Sequence, residues 1–162
     1  MINDIQILGG ESFASGCSRQ YIVAASATLI LPGEPVAVTL GGMTVTKMAT
    51  NKPVVGTDFV PGIAVSTSTN TASVAGTVQV IPFEKNQLYQ ITPKVAITSQ
   101  TTYDSYLGYR VLLDLTGAYP SDKYTGLVSD NSTSGFVIMP NDLSKNPGKI
   151  VFATRGGLSD LA

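Results

Sequence analysis

Residues Pro35–Met48 read PVAVTLGGMTVTKM. Apolar and polar side chains alternate, pause at Gly41 and Gly42, then alternate again. With the glycines as the two turn residues, Leu40 faces Met43, Thr39 faces Thr44, Val38 faces Val45 and Ala37 faces Thr46. Leu40, Val38, Met43 and Val45 then share one face, and the threonines and Ala37 share the other. Two-residue turns need positive φ, which glycine supplies without steric cost. A one-residue slip would turn the apolar set to solvent, so the pattern fixes the register.

The same period-2 signal recurs outward from this hairpin. YIVAASATLIL from Tyr21 predicts a strand with a break near Ala25. Pro32 and Gly33 predict a turn, and Pro35 opens the next strand, where its missing N–H need not belong to the ladder. Val54–Thr57 and Val60–Ser66 flank a short turn, with GIAVS as a strand. Ser66–Ser73 is a polar loop, and GTVQVIPF alternates with Val78 and Val80 on one face. QLYQIT and KVAIT are short candidate strands around Pro93. Tyr103, Tyr106 and Tyr109 are spaced for a helical turn over 101–107. RVLLDL is a strand, GLVSDNSTSGFVIM a hairpin with a Ser/Asn loop, KIVFAT a last strand and LSDLA a tail.

The pattern gives roughly ten short strands with no sustained helical period. The expected class is all-β, a small barrel or sandwich of antiparallel strands with an extended N-terminal arm. Residues 1–20 read as that arm or a first strand. Residues 21–162 read as a single β domain, with 21–92 and 95–155 as possible lobes.

Composition narrows the function. Charged residues are 13% of 162, about half the usual share. The ten Lys and Arg are scattered and net charge is −1, so no cationic cluster is available to displace counterions from nucleic acid. With no histidine and one cysteine, Cys17, the chain lacks the usual base for a Ser or Cys nucleophile and a zinc-ligand set. MINDIQILGG has no basic, long-apolar leader pattern, and no stretch reaches the roughly 18 apolar residues of a membrane span. Synthesis in a cytoplasm without membrane insertion is the expectation.

The remaining chemical signals are thin. Asp130, Ser132, Ser134 and Gly135 imitate the first half of a calcium loop, but Asn141 stands where a bidentate Glu is needed. Glu11, Glu34 and Glu84 are the carboxylates open to a glycosidase reading. Glu34, in a Pro-Gly-Glu-Pro turn, reads more simply as a solvated turn residue. The tyrosines suit core packing or, if exposed, a sugar platform. No catalytic residue, metal or cofactor is expected.

The run Pro32–Phe83 resembles the capsid decoration, or cement, proteins of tailed bacteriophages. The likeness rests on PGEPV at 32–36, the following hairpin, GIAV at 62–65 and GTVQV at 76–80. The second half, from LGYRVLLDLTG to KIVFATR, resembles the strand, Asp-x-x-Gly turn and closing hairpin found in phage head proteins. The resemblance implies a non-enzymatic virion protein on the capsid exterior. Its partners would be the phage major capsid protein and itself, as a homotrimer. Ile5, Ile7, Leu8 and Phe13 of the arm would be the capsid-binding residues, acting by strand addition. The alternatives are a tail, baseplate or head-fibre component that binds host glycans, and a carboxylate hydrolase.

Overall fold

The computed structural model describes residues 5–8, 18–38, 43–54, 59–83, 87–116, 123–130 and 134–154. Among them are eleven strands and one short helix: β1 (Ile5–Ile7), β2 (Arg19–Val23), β3 (Pro35–Val38), β4 (Thr44–Lys47), β5 (Gly62–Ala64), β6 (Gly76–Pro82), β7 (Leu88–Ile91), α1 (Gln100–Ser105), β8 (Arg110–Thr116), β9 (Lys123–Ser129), β10 (Phe136–Ile138) and β11 (Ile150–Thr154). The protein is all-β. Five strands close a barrel in the order β2-β4-β3-β5-β6, and six form a sheet in the order β1-β7-β11-β10-β8-β9.

The hairpin register is as the alternation requires: Val36, Ala37 and Val38 pair with Lys47, Thr46 and Val45. Its glycine turn lies outside the described residues, as do Cys17, Tyr119 and the LSDLA tail. Met43 departs from the expected inner face and is 63% exposed. It precedes β4, in a bend where its carbonyl accepts from Ile22 N–H at 3.2 Å. That bond belongs to a parallel β2–β4 pairing, the one named strand pair that is not antiparallel.

The Pro32–Gly33 turn is where proline and glycine are each required. Pro32 sits at the second position and Gly33 takes φ 92°, the geometry of a type II turn. Glu34 N–H closes it on Leu31 C=O at 3.2 Å. The predicted break near Ala25 is also present, at a turn through Ser26 with φ 63°. Beyond it, Ala27–Leu31 is not a strand, yet Ile30 is fully buried.

Two apolar cores follow from the two sheets. Val23, Ile30, Val36, Val45, Ala64, Val78 and Val80 fill the barrel. The β-branched side chains suit a narrow, pleated interior. A larger core lies against the six-stranded sheet, where Ile63, Met48 and Val60 from the barrel segment meet Phe83, Tyr89, Ile91, Phe136 and Phe152. Its rings pack at 4.6 Å (Phe136–Phe152) and 5.0 Å (Phe83–Tyr89), within the range that aromatic pairs favour.

Two expectations are corrected. KVAIT is not a strand: Lys94 N–H reaches Gly126 C=O at 2.9 Å, the chain then leaves β9, and Ser99 caps α1 by accepting from Thr102 N–H at 3.1 Å. GLVSDNSTSGFVIM is not a hairpin, because β8 lies between β9 and β10. Ser66–Ser73 is a polar loop, as expected. Ser68 and Asn70 are buried, with Ser68 Oγ donating to Asn70 Oδ1 at 2.7 Å and Asn70 Nδ2 donating to Ala27 C=O at 2.7 Å. These bonds anchor the loop to the barrel end. The helical turn expected at 101–107 is α1, one position earlier at its start.

Candidate functional site

The N-terminal segment is a strand of the molecule's own sheet. β1 pairs antiparallel with β7, Ile5 opposite Ile91 and Ile7 opposite Tyr89. Leu8 N–H continues the ladder to Leu88 C=O at 2.9 Å, and Gln87 Nε2 donates to Leu8 C=O at 2.9 Å. Ile5 is 3% exposed and belongs to the large core, with Ile7 packed against it. Apolar spacing at 5, 7 and 8 reads equally as docking residues or as an edge strand, and here it is spent on the latter. Ile5 therefore offers no surface, Ile7 and Leu8 offer part of theirs, and Phe13 lies outside the described residues.

The other edge of β1 faces the barrel. Ile5 N–H reaches Gly33 C=O at 3.0 Å, and a groove opens beside that bond. The groove holds about 390 Å³ and is lined by Gln6, Ile7, Pro32, Gly33, Val65 and Ile81 among others. Among the described residues that line it, none is charged.

Glu34 is the carboxylate that the sequence misplaces. It is 1% exposed rather than solvated. Oε2 accepts from Leu31 N–H at 2.8 Å, and Oε1 lies 2.6 Å from Lys47 Nζ, itself 8% exposed. The ammonium stands 5.9 Å from the Tyr124 ring centroid, and the Tyr124 hydroxyl donates to Met48 C=O. The group joins the Pro-Gly-Glu-Pro turn, β4 and β9. A turn glutamate gives no sign of burial in sequence; the lysine that alternates onto the other strand of the hairpin is the one available signal. Glu11 and Glu84 lie outside the described residues.

Ser134 is a structural residue. Its hydroxyl donates to Val111 C=O at 2.6 Å and accepts from Phe136 N–H at 3.2 Å, which fixes the crossing between β9 and β10. Asn131–Thr133 of the calcium-like loop lie outside the described residues. Among the described residues no three His, Cys, Asp or Glu gather as a metal site, and no helix is long and apolar enough to cross a membrane. Asp142 lines an open cleft with Gln100, Asp104, Pro140 and Asn141. Hydrogen bonds from the Ser144 hydroxyl and N–H, then Lys145, hold its carboxyl below the usual range. That direction is the wrong one for a general acid.

The tyrosines divide. Tyr89, Tyr103 and Tyr124 are buried. Tyr106 and Tyr109 pair at 5.8 Å near the surface. Tyr106 also lines a 200 Å³ cleft with Val95, Ile97, Thr102 and Val128.

Charge is distributed unevenly between the sheets. Within described residues 19–38, 43–47 and 59–82, Arg19 is the exposed charge, while Glu34 and Lys47 are paired inside. Exposed Lys94, Asp104, Asp130, Asp142 and Lys145 all sit on the six-stranded half. Compared with family models, curated proteins and solved structures, the chain matches none.

Proposed function

We propose that the protein is a structural virion protein that binds the outer surface of a phage capsid and stabilises it without catalysis, as a homotrimer. The observation that carries this reading is the coincidence of the resembling stretch with a structural unit. Pro32–Phe83 supplies β3, β4, β5 and β6, four of the five barrel strands. A stiff β body with few surface charges suits a protein whose work is to add contact area across subunit boundaries. Individually weak contacts become strong when linked subunits engage several sites at once. Purified protein added to undecorated expanded heads is expected to bind stoichiometrically and raise their heat resistance. Absence of binding to the heads of its own phage would overturn the reading.

A second reading, a tail, baseplate or head-fibre component that holds host glycans, draws on the Tyr106–Tyr109 pair beside its cleft. Aromatic faces stack on sugar rings. It predicts glycan-array binding lost in Tyr109→Ala, and a blank array argues against it.

A further inference from the structure

We propose that the outer wall of the barrel, the charge-free face of β4, β2 and β6, is where copies of this chain associate. The inference goes beyond the trimer of the reading above, because a face that meets its own copy closes a two-fold pair.

The wall follows from the register. Ile22 lies opposite Thr44 on one side and Thr77 on the other, and Gln20 lies opposite Gln79. Val23, Val45, Val78 and Val80 alternate into the barrel, so Gln20, Ile22, Thr44, Thr46, Thr77 and Gln79 point outward. Ile22 is 48% exposed, with Met43 at 63% beside it. The opposite side of the barrel, at β5, is already covered: Ile63 packs into the core against the six-stranded sheet.

Two properties select a second copy as the occupant. Threonine hydroxyls and glutamine amides each donate and accept, so a face made of them is complementary to another copy of itself. A face of like charges would repel its copy. The wall also lacks the Lys, Asp and Glu that interface cores avoid, whereas the described exposed charges other than Arg19 lie on the other half. Pressing that charged half onto the wall would strip water from ions and offer them no counterion. Wall against wall leaves none stranded.

Size sets the strength. Three strands about 4.8 Å apart and about five residues long make a face of roughly 15 by 17 Å. That is below the roughly 800 Å² per partner of a standard interface. Association is therefore weak and depends on concentration in free solution.

The test uses the full chain with no phage particle, so failure of head binding and failure of the wall are separate results. Light scattering after size exclusion is run from about 5 µM to about 500 µM, the range of weak complexes. The expected result is a mass that climbs above 16.9 kDa with concentration. Ile22→Lys and Thr46→Lys should abolish the climb, while Val95→Lys on the other half leaves it intact. Near-ultraviolet circular dichroism checks that each variant is folded, and two separate wall positions guard against one misfolding. A wild-type mass that stays monomeric throughout overturns the proposal. So does a climb that survives both wall variants, which would move the interface elsewhere.

Discussion

Glu34 and Lys47 form an ion pair of 2.6 Å that is closed off from water on both sides. The carboxylate comes from the turn before β3, and the ammonium comes from the end of β4. Taking both ions out of water costs several kcal/mol each, and their attraction offsets this only while both are present. Glu34→Gln should therefore destabilise the protein by about 3–5 kcal/mol, the usual penalty for stranding one member of a buried pair. Glu34→Gln combined with Lys47→Met should recover much of that loss. Urea unfolding of the single and double variants measures both. A single variant within about 0.5 kcal/mol of wild type, the scale of an ordinary surface change, would show that the pair is solvated.

Tyr124 ties the barrel segment to the six-stranded sheet through its hydroxyl, which donates to the Met48 carbonyl inside the protein. Tyr124→Phe keeps the ring and removes the donor. The cost should be about 1–3 kcal/mol, that of leaving a buried acceptor short of a partner. The midpoint of chemical unfolding should fall with no change of slope, because the surface exposed on unfolding is the same.

The alternating stretches carried much of this fold. Val36, Val45, Val78 and Val80 announce an inward face by period alone, and the structure buries all of them. Strand order was not legible. Nothing local in GLVSDNSTSGFVIM says that β8 will separate its two halves, since that depends on which edge is free once β8 and β9 have paired. The parallel β2–β4 contact is hidden for the same reason. Ile5, Ile7 and Leu8 illustrate the limit at the site: apolarity marks them for burial but does not name the surface that buries them. Glu34 illustrates the reverse, a charge whose burial depends on a lysine thirteen positions away.

Tyr103 should make stability fall at high pH. Its hydroxyl donates to Met139 C=O at 2.9 Å and accepts from Val151 N–H at 3.0 Å. Burial pushes the phenol above its ordinary 10.0; the Val151 hydrogen bond opposes this and the Asp104 charge adds to it. A group whose folded value is raised stabilises the fold fully below its unfolded value. That contribution is lost as pH climbs past 10.0 through the folded value. Unfolding free energies of wild type and Tyr103→Phe, compared from pH 8 upward, should converge as wild type loses this advantage. A constant difference across the range would mean that Tyr103 titrates alike in both states.

At Gly62 two barrel backbones approach closely. A Cβ built there would stand 1.8 Å from the Ile81 carbonyl oxygen and 2.8 Å from Pro82 Cα. Both are main-chain atoms of β6, and Gly62 pairs with Pro82 on that side and Val36 on the other. Neither neighbour can rotate away as a side chain would. Gly62→Ala should cost at least the ~3 kcal/mol at the upper end of ordinary overpacking, and should loosen the barrel where β5 closes it. Gly108 is the control with the opposite cause. Its φ is +81° and nothing lies within 4 Å of a Cβ there, so Gly108→Ala carries only the backbone penalty of about 1–2 kcal/mol. Amide hydrogen exchange separates the two mechanisms. Protection should collapse across β3, β5 and β6 in Gly62→Ala and change only around the end of α1 in Gly108→Ala. Equal stability of the two variants would mean that β5 and β6 do not approach as closely as this.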